Sequence, residues 1–236
     1  MKVLGIIPAR GGSKGIPDKN KKNLAGKPLM QYTIEAALKS KLLDDVIFSS
    51  EDKTLMEMAK MLGVQVPFVR PSELATDTAG TIEVVKHSLK ALSKIGKHYD
   101  AVCLLQVTNP FRTSAFIDEA ILEFTKSKKD ALVSVLKVPH QFNPHWVFEV
   151  NENGGLKIAT GDEQIIKRRQ ELPTAYYRDG SIYLVKTSVV LNQNSLYGET
   201  TAFIEANPEW HVNIDTMEDW KKAEDFIRRK QSNSKT

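Results

Sequence analysis

Lys2-Val3-Leu4-Gly5-Ile6-Ile7, followed by Pro8-Ala9-Arg10-Gly11-Gly12-Ser13-Lys14-Gly15-Ile16-Pro17-Asp18-Lys19-Asn20, is the stretch on which the reading of this chain turns. From Val3 the run is apolar without alternation, the pattern of a strand covered on both faces. The segment after it is rich in glycine and cations. Gly11, Gly12 and Gly15 let the backbone turn sharply and approach a ligand with no Cβ in the way. Successive N–H groups in such a turn form an anion-binding concavity. Arg10, Lys14 and Lys19 add positive charge, Ser13 adds a hydroxyl donor, and the Arg10 guanidinium suits a bidentate grip. A buried strand that delivers such a loop to the edge of a sheet predicts a phosphate site. The alternative for any charge run is a solvated basic loop.

Outward from this loop, short apolar runs alternate with helical periods. Pro28–Lys39 reads as a helix, Val46–Ser49 as a strand, and the next segment as a helix carrying Leu55, Met58 and Leu62. Gln65–Val69 reads as a short strand and Thr81–Ile95 as an amphipathic helix with Ile82, Val85, Leu89 and Leu92 on one face. Ala101–Leu105 is an apolar strand, Ser114 is the expected N-cap of a further helix, and Ala131–Lys137 is another strand. The alternation predicts an α/β fold, with a mostly parallel sheet flanked by helices. Ligands of such sheets sit beyond the carboxyl ends of the strands, where Pro8–Asn23, Ser49–Asp52 and Gln106–Arg112 converge.

From about residue 138 to 207 the pattern loosens into shorter runs, such as Trp146–Val150 and Ser181–Val185, and predicts a small inserted, partly antiparallel region. A helix over roughly Met217–Arg229, with Trp220, Ala223 and Ile227 inward, closes one domain spanning 1–229. The polar residues 230–236 read as a disordered tail.

At 236 residues, with 41% hydrophobic and 26% charged residues, the chain suits one soluble domain with an elaboration. A net charge of +4 is too mild to argue for nucleic acid as a partner, and its clustering around one loop suits a small polyanion. Cys103, the single cysteine, lies in an apolar run and reads as a buried small hydrophobe in a reducing cytoplasm. No apolar stretch is long enough to span a membrane. The five histidines fall in no triad or zinc spacing. The loop matches neither Gly-x-x-x-x-Gly-Lys-Ser/Thr nor Gly-x-Gly-x-x-Gly, which weakens kinase, ATPase and dehydrogenase readings.

The run Ile7–Pro17 with Lys19-Asn20 and Leu24–Leu29 resembles the signature of the acylneuraminate cytidylyltransferase family, the CMP-sialic acid synthetases and their legionaminic and pseudaminic acid relatives. The resemblance continues, in order, through Arg70-Pro71-Ser72-Glu73-Leu74-Ala75, Asp77-Thr78, Leu104–Thr113, Arg169–Pro173, Gly180–Tyr183 and Ile214–Asp219. It implies a Rossmann-like nucleotidyltransferase fold and transfer of CMP from CTP to a nine-carbon 2-keto acid sugar, with Mg²⁺ as cofactor. It also implies a homodimer, formed through the inserted region on the sugar side.

Residue by residue, the resemblance implies that Arg10, Gly12, Ser13, Lys19 and Asn20 contact CTP, with Arg70 and the Ala79-Gly80-Thr81 turn completing the pocket. Gly80 and Thr81 also open a helix, so their N–H groups serve an anion or simply start the helix. Gln106 and Arg112 would face the acidic sugar, with a structural ion pair the alternative for Arg112. Tyr183 would stand near the sugar or in the core, and Arg169 would reach the sugar or belong to a solvated face with Lys167 and Arg168.

The metal end departs from the family pattern. An Asp-Ile-Asp motif puts two carboxylates on one side of a strand. Here the residues are Asn213-Ile214-Asp215, so Asp215 supplies charge and Asn213 only a neutral carbonyl. An N-cap for the last helix, through Asp215 or Thr216, is the other role open to this segment. Arg10, Lys19 and Asp215 are the expected catalytic groups. Two rivals remain: a nucleotidyltransferase with another base or a hexose phosphate, and a nucleotide-binding regulator weakened by Asn213.

Overall fold

The unrelieved apolar runs become strands buried on both faces. In Val3–Pro8 (β1), Val3 and Ile7 pack into one core while Leu4 and Ile6 pack into the other. The structure is a computed structural model describing residues 1–233. Asn23–Leu24 (β2) and Lys27–Pro28 (β3) form a small antiparallel pair, turned by Ala25 and Gly26 at positive φ. There follow α1 (Leu29–Leu38), β4 (Asp45–Ser49), α2 (Lys53–Met61), α3 (Thr81–Ser93) and β5 (Ala101–Leu104). Then come α4 (Ser114–Ser127), β6 (Ala131–Lys137), β7 (Phe148–Val150), β8 (Leu156–Ile158) and β9 (Tyr176–Lys186). The chain ends with α5 (Thr187–Gln193), β10 (Thr201–Glu205) and α6 (Met217–Asn233).

The main sheet has the order β10-β6-β9-β5-β1-β4. β1 pairs in parallel with both β4 and β5, β10 pairs in parallel with β6, and β9 runs antiparallel between β5 and β6. The expected mostly parallel α/β sheet is therefore present, with one reversed strand at its centre. Helices cover both faces. Ile34 of α1, Leu55 of α2, Ile117 of α4 and Trp220 of α6 pack on one side; Val85 of α3 and Val190 of α5 pack on the other.

The looser region is not all insertion. Its strands β9 and β10 belong to the main sheet, and only the stretch between β6 and β9 leaves it, forming the β7–β8 hairpin. The two-part look of β9 comes from a bulge. Pairing with β6 shifts register between Val133 and Val135, where Asp179 to Ile182 stand opposite Ser134, and Gly180 takes φ +83°.

Three local expectations change. Gln65–Val69 forms no strand beyond a single bridge from Gln65 to Ile47. Thr113, not Ser114, caps α4, its hydroxyl accepting the Phe116 N–H at 3.1 Å. The last helix continues through Asn233, so Lys230–Asn233 are helical where a disordered tail is predicted; residues 234–236 lie outside the described residues. Trp220 and Ala223 are buried as predicted, and Ile227 packs against the same core.

Candidate active site

After β1 the chain passes through α1 to β4 on one side; after α2 and α3 it returns as β5 on the other. The loops leaving β1 and β5 therefore diverge, opening the crevice expected at a switch point. A cavity of about 510 Å³ lies there. Arg10, Ser13, Lys14, Lys19 and Asn20 reach it from the first loop; Arg70, Thr81, Gln106 and Asp215 complete the wall. The sequence-predicted nucleotide residues are thus brought together, except Gly11, Gly12 and Gly80, which are not part of the lining.

The loop is anchored by a residue the sequence reading did not single out. Glu51, just past β4, accepts the Gly11 N–H at 2.7 Å and ion-pairs with Arg70 at 2.5 Å. Arg70 also donates to the Ala9 carbonyl at 2.8 Å, and it is buried. Arg70 thus ties the start of the loop to the end of β4 while lining the cavity. Asn20 donates to the Arg10 carbonyl at 2.9 Å, closing the loop from its far end. A Cβ on Gly11 would lie 2.5 Å from Asp52 Oδ2, a side-chain atom that can shift, and one on Gly15 would lie 2.3 Å from the Asp215 carbonyl oxygen, a backbone atom whose approach requires glycine. The second contact brings the loop against the C-terminal wall.

That wall carries Asp215. Lys19, its side chain only 12% exposed, donates to the Ile214 carbonyl at 2.8 Å and to Asp215 Oδ1 at 3.0 Å. Asn213 donates to Asp215 Oδ2 at 2.7 Å and stands behind the cavity lining. Thr216 and Asp219 cap α6 reciprocally: Thr216 Oγ1 accepts the Asp219 N–H at 3.2 Å, and Asp219 accepts the Thr216 N–H at 2.9 Å. Those bonds hold the Asp219 carboxyl below its ordinary range even though burial pushes it upward. The cap therefore falls to Thr216, and the Asp215 side chain faces the cavity. Among the described residues no cluster of three His, Cys, Asp or Glu side chains could cage a metal. One carboxylate beside a phosphate loop still suits Mg²⁺, which takes one or two carboxylates together with phosphate and water oxygens.

The wall after β5 divides. Gln106 lines the cavity, but Arg112 does not; it is buried under α4, with NH1 on the Thr33 hydroxyl at 3.2 Å and NH2 on the Gln106 carbonyl. Burial pushes its guanidinium down to about 10, which leaves it charged at neutral pH. Neighbouring Asn109 donates to the Asp179 carbonyl at 2.9 Å, and Asp179 accepts from Ser134 and from the Ser181 hydroxyl at 2.5 Å. This buried network fixes the β9 bulge beside a second cavity of about 440 Å³, lined in part by Arg112, Asp179, Trp210 and His211.

Tyr183, on β9, is buried in the core shared with α3 and α5, and Arg169 is exposed in a short 3₁₀ turn between β8 and β9. Neither lines the main cavity. Cys103 is buried as expected, and burial pushes its thiol up to about 12.

A glycine-rich basic loop, the start of α3 and the Asp215 carboxylate meeting at the switch point define a nucleotidyltransferase. Solved structures agree on the fold. A CMP:2-keto-3-deoxy-manno-octonic acid synthetase complexed with CTP superposes with a TM-score of 0.72 over 98% of this chain and 100% of that one, at 16% identity. A 4-diphosphocytidyl-2C-methyl-D-erythritol synthase from Anaerococcus prevotii follows at 0.67, with 13% identity, over 96% and 98%.

The chain belongs to the cytidylyltransferase family, whose profile matches residues 4–234. It is 34% identical to a CMP-N,N'-diacetyllegionaminic acid synthase of Legionella pneumophila across 98% of both chains. It is 33% identical to a pseudaminic acid cytidylyltransferase of Campylobacter jejuni over 93% of each. An N-acylneuraminate cytidylyltransferase of Streptococcus agalactiae is 33% identical over 93% of this chain and 52% of its own length. Among the described residues no helix is long and apolar enough to cross a membrane.

Proposed function

We propose that this chain transfers CMP from CTP to the anomeric hydroxyl of a nine-carbon 2-keto acid sugar of the sialic, legionaminic or pseudaminic type, releasing pyrophosphate. The observation that carries this reading is the convergence of the cationic loop, the start of α3, Gln106 and Asp215 on one cavity. The names of the relatives support the substrate class.

The reaction is an attack by the sugar hydroxyl oxygen on the α-phosphorus. The bond to the β-phosphate breaks, pyrophosphate leaves, and the hydroxyl gives up its proton. Arg10 and Lys14 offset charge on the triphosphate, Ser13 and loop N–H groups orient its oxygens, and Lys19 keeps Asp215 in place. Gly80, the N-cap of α3, brings no side chain to cap it; the Glu83 N–H turns back to the Gly80 carbonyl at 3.1 Å, and the Thr81 N–H at the cavity is left for ligand oxygens. Asp215 would hold Mg²⁺, whose chemistry is neutralisation of charge on the phosphates. Gln106 would bind the sugar. Arg112 supports that wall from behind, and Tyr183 acts in the core.

The sugar side and the dimer are assigned to the excursion between β6 and β9. Its β7–β8 hairpin exposes Phe148 (47%), Val150 (71%) and Leu156 (67%), and a two-stranded hairpin is marginal alone, so a second copy of the chain is its natural cover. A reducing cytoplasm fits the buried free thiol.

The decisive assay is pyrophosphate release with CTP, UTP, GTP and ATP, each paired with sialic, legionaminic and pseudaminic acids. Release is expected with CTP and at least one of the three acids. Turnover only of a sugar 1-phosphate with another nucleotide would overturn the reading.

A further inference from the structure

Asp77 is an acidic residue in the middle of the loop cations. Its Oδ1 lies 2.7 Å from Arg10 NH2 and its Oδ2 lies 2.6 Å from Lys14 Nζ, and all three side chains line the nucleotide cavity. The two ion pairs join the loop after β1 to the turn before α3. That turn is closed locally, by the Ala79 N–H on the Thr76 carbonyl at 3.3 Å and by the Thr76 and Thr78 hydroxyls at 3.3 Å. One carboxylate, one oxygen to each cation, occupies the donors that a phosphate group would use. The same contacts hold the Asp77 carboxyl below its ordinary range, hydrogen bonding from Lys14 contributing most and Arg10 next.

A triphosphate that takes Arg10 and Lys14 leaves Asp77 facing a polyanion, so the carboxylate has to withdraw as the nucleotide arrives. We propose that Asp77 is a built-in phosphate surrogate, a positioning residue that occupies Arg10 and Lys14 in the free enzyme, yields them to the triphosphate and retakes them as pyrophosphate departs. The inference rests on the nucleotide reading of the cavity. Two effects of removing its charge oppose each other: the cations lose an organising partner, and the polyanion loses a competitor. Competition dominates, because the Lys14 side chain is 82% exposed and reaches a polyanion unaided, while the Arg10 guanidinium is planar and pre-organised.

The test compares the wild type with Asp77→Asn and Asp77→Glu, using calorimetry with inorganic tripolyphosphate and initial-rate kinetics with CTP and added pyrophosphate. Asp77→Asn is expected to bind tripolyphosphate roughly three- to tenfold more tightly. Its KM for CTP and its inhibition constant for pyrophosphate fall together, while Asp77→Glu stays near the wild type. A merely structural Asp77 would weaken all three in the asparagine variant. Weaker or unchanged tripolyphosphate binding there overturns the proposal. If the wild type binds tripolyphosphate but turns over no CTP, the cytidylyl reading fails, and the tripolyphosphate comparison still decides the role of Asp77.

Discussion

Arg10 and Arg112 lie on the loops that leave β1 and β5, the strands flanking the switch point, and live under different physics. Arg10 lines the cavity and pairs with Asp77, a carboxylate 42% exposed, in a contact that an incoming anion can replace. Arg112 lies under α4 with its NH groups on a carbonyl and a hydroxyl, and its buried Nε has no hydrogen-bond partner. The first wall is built for exchange and the second for permanence. A charged side chain therefore reports ligand chemistry here only where its partners are replaceable from the cavity.

The loop wall should lose rate without losing the fold. Lys19→Met removes the charge that holds Asp215 and the Ile214 carbonyl. Its kcat/KM is expected to fall roughly 10²–10³-fold, by the usual worth of a preorganised donor that fixes a charged group of the site, with little change in melting temperature. An equal loss of stability and rate would erase the contrast between the walls.

The far wall should behave in the opposite way. Arg112→Ala leaves the Gln106 carbonyl without its buried donor and opens a void beneath α4; denaturant melts are expected to show a loss of about 2–4 kcal/mol. Activity per folded molecule should hold nearly constant. Arg112→Met should recover part of the stability, because it fills the space without burying a charge. A collapse of kcat/KM with stability intact would return Arg112 to the sugar site.

The smallest effect concerns His211, on the same wall. Burial lowers its pKa from 6.5, the nearby Asp179 partly opposing the shift. The unfolded chain then binds the proton first, so the stability contributed is complete above about pH 6.5 and is lost as pH falls through the lower folded value. Melting curves between about pH 7 and pH 5 should fall less steeply for His211→Gln than for the wild type. A steeper fall would reverse the sign.

The same contrast explains what could be read in advance. β1, β5 and β6 were legible because each is an apolar run, and the phosphate loop because glycine and cations seldom coincide without an anion. The full length of β9 was not: Asp179-Gly180 resembles a turn, so only Ser181–Val185 reads as a run. Glu51 escaped notice, and Asp77 was legible only as part of the resembling run Asp77-Thr78, because a carboxylate beside a phosphate loop has the wrong sign until its partners are known. Arg112 and Tyr183 carried two meanings each in the sequence; both stand buried, Tyr183 in the core and Arg112 on a carbonyl and a hydroxyl, not on the carboxylate an ion pair requires. At Asp215 the cap of α6 falls to Thr216 and Asp219, which leaves the Asp215 side chain on the cavity.

The excursion that ends at β9 leaves and re-enters the sheet at a single doorway. Lys137, the last residue of β6, is the ladder partner of Tyr176, the first of β9, and the Val138 N–H reaches the Ala175 carbonyl at 2.9 Å. A segment whose two ends are already bonded to each other behaves as a cassette. It can be lengthened, trimmed or traded between relatives while every strand keeps its neighbour and the crevice at the switch point keeps its shape. The fold thereby lets this excursion diversify separately from the loops that line the cavity at the switch point.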